Sequence, residues 1–270
     1  MKVHIAAACG FCYGVRRAVD LASAAEPGTS TLGPIIHNPQ VVETLAAKGV
    51  APVTTLDDVA DGANILIRSH GVGPDVYEKA EKKHLHVVDA TCPHVKKAQQ
   101  DARKVINAKK VLIIIGEKDH PEVISISQWG GNRAIIIDKV EEAKEIPYCE
   151  SMGVVVQTTF SQTRFKQIES VLAEKTGHLD VYMTICTATR QRQEAAVELA
   201  RKVDAMIVIG GKNSANTGRL AQVCAEQGCP TYHVETAAEL DCSRFTGMRD
   251  IGVTAGASTP DWIIQEVVKM

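Results

Sequence analysis

The sequence predicts an α/β protein of three pseudo-equivalent lobes, each built on a parallel sheet, and three sets of matching segments predict it. The first set is VHIAAACGFCYGVRRAVDLA, HVVDATCPHVKKAQQDARK and DVYMTICTATRQRQEAAVELAR, where a β-rich apolar run passes through a cysteine into helical periodicity. The second is TSTLGPIIHNPQVVETLAAKG, VLIIIGEKDHPEVISISQWG and AMIVIGGKNSANTGRLAQVCAEQG, each a strand, a polar loop and an amphipathic helix. The third is ILIRSHGVGPDVYEKAEKK, MGVVVQTTFSQTRFKQIESVLAEK and IGVTAGASTPDWIIQEVVKM, each a closing strand and helix. Strands alternating with helices imply parallel pairing through right-handed crossovers.

The order of these segments sets the expected boundaries. Residues 1–12 carry an N-terminal strand and the first cysteine; residues 13–91, 92–185 and 186–270 form lobes one, two and three. The strand leading to Cys92 closes lobe one, and the strand leading to Cys186 closes lobe two. Lobe three then lacks a closing strand, so the strand from Lys2 to Ala7 is expected to join it.

Composition narrows the function classes. The 270 residues are 45% hydrophobic, enough for a substantial core, and the net charge of -2 comes without runs of Lys or Arg. Nucleic-acid binding is therefore not expected. The longest apolar runs, Val111 to Ile115 and Ala205 to Ile209, fall far short of the roughly 20 residues of a membrane span. The first twelve residues contain no long apolar signal segment, and a cytoplasmic protein is expected. In that compartment the eight cysteines are expected to be mainly reduced thiols, available to a metal or buried as core residues.

Ligands of open parallel sheets sit beyond the carboxyl ends of the strands. Those ends carry Cys12, His37, His70, Cys92, His120, Thr158, Cys186, Ser214 with Asn216, and Ser258. Lobes arranged about a common axis would bring all of them to one site. Three thiolates suit an iron-sulfur cluster and leave one iron of a cubane open. A structural zinc site is the plainer alternative, but zinc cysteines usually occur in short-spaced pairs. His37-Asn38-Pro39 and His120-Pro121-Glu122 precede helices with Pro where the first turn tolerates it, and lobe three offers Asn213, Ser214 and Asn216. Helix N-termini with such neutral donors suit phosphate, although simple capping accounts for a Ser or Asn taken singly. Glu122 is the carboxylate placed to donate a proton; an acid favoured at a helix start is its plainer reading. Thr158 and Thr159 relay a proton or cap the next helix, and the same two readings cover Thr189.

The stretches GFCYGV, IIHNPQVVETL, RSHGV, DATCP, GEKDHPEV, QTTFS, TATRQRQEA after Ile185-Cys186, KNSAN and VTAGASTP run through nearly the whole chain. In that order they closely resemble the 4-hydroxy-3-methylbut-2-enyl diphosphate reductase family. The resemblance implies a trefoil of lobes around a central iron-sulfur site. Cys12, Cys92 and Cys186 then hold one 4Fe-4S cluster; His37, His70, His120, Thr158, Thr159, Ser214, Asn216 and Ser258 bind an allylic diphosphate; and Glu122 with Thr158 delivers protons. Ferredoxin or flavodoxin is the implied electron donor, since no G-x-G-x-x-G nucleotide fingerprint occurs. Two positions depart from the family: Ala215 stands where a second serine is common, and Cys9 forms a CxxC with Cys12. Rival readings are a three-cysteine dehydratase resembling quinolinate synthase, and an iron-sulfur redox protein without a substrate.

Overall fold

A computed structural model describes all 270 residues. Its twelve strands form three four-stranded sheets in which every pairing is parallel. The chain begins with β1 (Lys2–Ile5) and α1 (Tyr13–Ser23). Lobe one follows as β2 (Ser30–Leu32), α2 (Pro39–Ala46), β3 (Ala51–Val53), β4 (Asn64–Ile67), α3 (Pro74–Lys82) and β5 (His86–Asp89). Lobe two comprises α4 (Pro93–Asn107), β6 (Val111–Ile115), α5 (Pro121–Trp129), β7 (Ile135–Ile137), α6 (Val140–Lys144), β8 (Cys149–Val156), α7 (Gln162–Ala173) and β9 (Thr176–Tyr182). Lobe three comprises α8 (Thr187–Ala200), β10 (Ala205–Ile209), α9 (Ala215–Ala225), β11 (Thr231–Val234), β12 (Asp250–Ala255) and α10 (Asp261–Val268).

The three strand orders are β3-β2-β4-β5, β7-β6-β8-β9 and β11-β10-β12-β1. They are the same pattern, and β1 fills in lobe three the place that β5 and β9 fill in the others. It runs parallel to β12, with Lys2 opposite Asp250 and Ile5 opposite Val253. The strand ends at Ile5, two residues before the expected Ala7. Two compact units contain these sheets. Met1–Arg16, Ile36–Thr44 and Thr187–Met270 form one, holding the lobe-three sheet; Arg17–Ile35 and Leu45–Cys186 form the other, holding the other two sheets.

The inner strands are uninterrupted apolar runs because both faces of each sheet are covered. Along β6, Ile113 and Ile115 enter one core cluster, while Leu112 and Ile114 enter another. The same alternation divides Ala205, Ile207 and Ile209 of β10 from Met206 and Val208. The helices supply matching stripes: Val95, Ala98, Ala102 and Val105 of α4 are buried at helical spacing.

Gly153 on β8 lies against Val105 of α4. A Cβ there would lie 2.5 Å from Cγ2 of Val105. Gly153→Val should therefore lower the stability of its unit by about 1–3 kcal/mol through overpacking, read as an earlier urea midpoint. An unchanged midpoint would mean that the helix does not sit against the strand in this way.

Candidate active site

The three candidate cysteines share one local setting. Cys12, Cys92 and Cys186 each stand one residue before a helix, at Tyr13, Pro93 and Thr187. The sequence led us to expect each strand to end on its cysteine. Instead the strands end at Ile5, Asp89 and Tyr182, and the cysteines lie beyond them in loops of unequal length. The constant feature is the helix N-terminus, whose N–H groups can support a thiolate. In lobe three this support is direct: the N–H of Val15 donates to Sγ of Cys12 at 3.4 Å.

A second feature recurs in all three lobes. The backbone N–H of Cys12 donates to the carbonyl of Ala257, that of Cys92 to Ser69, and that of Cys186 to Thr158, at 3.3, 2.9 and 3.0 Å. The accepting loops leave β12, β4 and β8, the neighbours of the cysteine strands. Two of these carbonyls immediately precede Ser258 and His70, and the third belongs to Thr158 itself. One backbone bond per lobe thus sets a thiol beside a candidate substrate-binding group.

Side chains that sequence reasoning missed brace the same loops. Arg192 on α8 is buried and directs Nε and Nη2 to the carbonyl of Gly10, at 3.2 and 2.7 Å. Arg17 donates to the carbonyls of Asp89 and Thr91 in the approach to Cys92, and the carboxylate of Asp89 accepts from the Thr91 N–H. Thr184, before Cys186, pairs with both backbone groups of Val156. Arg192 lies inside the TATRQRQEA stretch, but nothing in that pattern shows that its partner is Gly10, 182 positions away.

The donor set fits an iron-sulfur cluster: three half-buried thiols outside any disulfide, one with an N–H already directed at its sulfur. Cys9 has a different character. It packs on the lobe-three core, and burial pushes its thiol up to about 11, against the lowering effects of nearby backbone N–H groups and Arg192. Cys224 and Cys229 are core residues, Cys149 is half-buried and Cys242 is exposed.

In the first unit, Nδ1 of His37 lies 2.7 Å from the carbonyl of Asn213. A carbonyl only accepts, so this nitrogen carries the hydrogen and the neutral ring has Nε2 as its acceptor. Ser258 donates to the carbonyl of His37 at 3.1 Å. Ser214 caps α9 by accepting from the N–H of Thr217, so the capping reading holds for its hydroxyl. Asn216 differs, since both polar side-chain atoms are buried without a partner. An orphaned amide of this kind costs about 1–3 kcal/mol, which a bound polar ligand would offset. The capping residue of α2 is Asn38, through its bond to Val41, leaving His37 one position outside the helix.

In the second unit, the rings of His70 and His120 meet edge to face with centroids 5.6 Å apart. His120 is the N-cap of α5, and its Nδ1 accepts from the Glu122 N–H. Glu122 is buried, and its two carboxylate oxygens accept from the Thr158 N–H at 2.6 Å and the Thr158 hydroxyl at 2.8 Å. Burial is the dominant influence and pushes Glu122 up to about 7; the two Thr158 bonds lower it, and Glu117 raises it further. A carboxyl with that value can hold or release a proton near neutrality. Thr159 accepts from Nε2 of Gln157, and Thr189 is buried on α8.

Because the folded protein holds the Glu122 proton to about pH 7 and the unfolded chain releases it near pH 4.5, the native state binds the extra proton between those values. Stability should fall as pH rises through this window, by at most on the order of 3 kcal/mol. Glu122→Gln should remove that fall and be the more stable form at pH 8, measured by chemical denaturation of metal-free protein across pH. Parallel profiles for the two proteins would contradict the raised value.

Comparison with known proteins places the chain in a family. Residues 3–270 match the family model described as LytB protein. The 4-hydroxy-3-methylbut-2-enyl diphosphate reductase of Trichlorobacter lovleyi is 49% identical over 271 residues, covering 99% of this chain and 96% of that protein. The Geobacter sulfurreducens protein of the same name is 47% identical, covering 100% and 96%. A solved structure of E-1-hydroxy-2-methyl-but-2-enyl-4-diphosphate reductase from Plasmodium falciparum superposes with a TM-score of 0.94 at 29% identity, over 99% of this chain and 86% of that one. A second structure, of (E)-4-hydroxy-3-methyl-but-2-enyl diphosphate reductase, gives 0.70 at 41% identity over 99% and 97%. No helix is long and apolar enough to cross a membrane. With its threefold parallel architecture and a match running from residue 3 to residue 270, this chain is an enzyme of the LytB family.

Proposed function

We propose that the enzyme reductively removes the hydroxyl of 4-hydroxy-3-methylbut-2-enyl diphosphate, giving isopentenyl and dimethylallyl diphosphate and water. The observation that carries this reading is Glu122, a buried carboxyl poised near neutrality in the same unit as Cys92, Cys186, His70 and His120. A carrier of electrons alone has no use for such a group. The names of the relatives support the choice of substrate.

In this reading Cys12, Cys92 and Cys186 hold one 4Fe-4S cluster. When bound, it supplies electrons and a Lewis-acidic iron left open by the three-cysteine ligation. The diphosphate is taken by His37, His70, His120, Thr158, Thr159, Ser214, Asn216 and Ser258. The unpartnered amide of Asn216 and the helix N-terminus next to it supply donors. These groups bind charge without a basic patch.

Glu122, kept protonated by burial, gives its proton to the departing hydroxyl oxygen. The carbon–oxygen bond breaks, and oxygen leaves as water. Two electrons and two protons enter in total, the second proton going to carbon. The Thr158 N–H and hydroxyl hold the carboxyl in one orientation, and the N–H bond favours the carboxylate once the proton has gone. Ferredoxin or flavodoxin is the proposed electron donor. A reducing, cytoplasmic setting suits three cysteines that must stay reduced.

Replacing Cys12, Cys92 or Cys186 by Ser should largely abolish both cluster and turnover, with iron and sulfide content and the visible spectrum as readouts. Cys149→Ser, Cys242→Ser and Cys9→Ala should leave them near normal when handled without oxygen. Retention of an intact cluster and activity in Cys92→Ser would remove the three-ligand assignment. Glu122→Gln should keep cluster and substrate binding while turnover falls by about 10²–10⁴-fold. A near-normal rate would place the proton donor elsewhere.

A further inference from the structure

The second unit contains a cavity of about 330 Å³ with no part in the chemistry above. It opens at the carboxyl edge of the lobe-one sheet, beside β2 and β4. Leu32 and Ile67 are register partners at the ends of these strands, and Gly33 and Arg68 are the next residues of each. From β2 the chain passes through α2 to β3 on one side, and from β4 through α3 to β5 on the other. That reversal is the topological switch point, where open parallel sheets bind ligands. The far wall is α5 of lobe two, through Pro121, Ile124, Ser125 and Gln128.

Arg68 is the unexplained group. Its Nε is buried with no hydrogen-bond partner. Burial lowers its pKa, and no neighbouring acid acts to raise it. Its Nη1 rests against Gly33, where a Cβ would come within 2.7 Å and where φ of +71° also favours glycine. The other charges on the cavity are accounted for: Lys79 is paired with Asp57 at 2.6 Å, and Asp75 lies in the first turn of α3, where an acid is favoured. A guanidinium stays charged at any ordinary pH, and leaving it desolvated without a counter-charge is costly. The remaining walls are largely apolar, with Leu32, Leu56, Val72 and Val76 facing Ile124.

We infer that this cavity binds a small organic anion, its charged head on Arg68 and a short apolar body against the walls between lobes one and two. The volume suits a ligand of that size. Bound there, it would touch Gly71, next to His70, and Pro121, next to Glu122, and so reach both segments that carry the proposed catalytic groups of this unit. None of the residues proposed to take the diphosphate lines this cavity, and binding can be measured without turnover.

The test is calorimetric titration of the anaerobic holoenzyme with hexyl phosphate and, separately, with inorganic phosphate. Hexyl phosphate should bind at or below about 1 mM and more tightly than inorganic phosphate. Arg68→Gln should weaken hexyl phosphate by about tenfold or more. Ile124→Asp, a change at an exposed position lining the cavity, should weaken it too, by placing a like charge at the mouth. Asn216→Ala, at the proposed diphosphate position, should leave it unchanged. Four results would each overturn the inference: no binding at about 1 mM, equal affinity for inorganic phosphate, unchanged affinity in both cavity variants, or loss of affinity in Asn216→Ala instead.

Discussion

The hydrogen bond from each cysteine N–H to the exit loop of the neighbouring strand is the contact on which the rest of this structure depends. It is possible because all pairings are parallel: adjacent strands reach the same edge together, and the loops that leave them stay within backbone reach. The bonds Cys12 to Ala257, Cys92 to Ser69 and Cys186 to Thr158 are ordinary in strength. Their value lies in what they place together. Each couples a thiol to the backbone that carries Ser258, His70 or Thr158, so a shift of one loop is felt by the other. Arg192, Arg17 and Thr184 then fix the approach to each thiol from behind.

Burial sets the proton affinity of Glu122. Glu122 is placed by α5, whose cap is His120, and is held through both oxygens by Thr158. Two donors alone would keep the group an ordinary carboxylate. Its removal from water outweighs them, and the result is a carboxyl balanced near neutrality. Burying Glu122 and leaving Asn216 unpartnered both cost folding stability, the pattern expected where residues serve a ligand rather than the fold. Arg68 carries the same signature in a different place.

The fold was legible in the sequence because a period of about one lobe is visible wherever strand, cysteine and helix recur. The apolar runs VLIII and AMIVI announce doubly covered central strands, and the missing closing strand of lobe three pointed to β1. The cysteine positions relative to their strands were misread, because apolar composition continues into the loops as AAACGFC and TIC after the strands have ended. The residue types of the candidate site stand out in the sequence for a similar reason: His37, His120 and Ser214 precede helices at matched places. Their partners were not. A histidine oriented by a carbonyl 176 positions away, or an arginine gripping Gly10 from α8, depends on tertiary proximity that no local pattern encodes. Nor does sequence separate Ser214, which caps, from Asn216, whose amide is unsatisfied.

The central claim is that three cysteines leave one iron open for the substrate, and Mössbauer spectroscopy tests it most directly. The protein would be loaded with isotopically enriched iron without oxygen and measured with and without 4-hydroxy-3-methylbut-2-enyl diphosphate. A single iron site of the cluster should change on adding substrate while the others keep their parameters. A cluster in which every iron is indifferent to substrate, or a protein that binds no cluster, would contradict it.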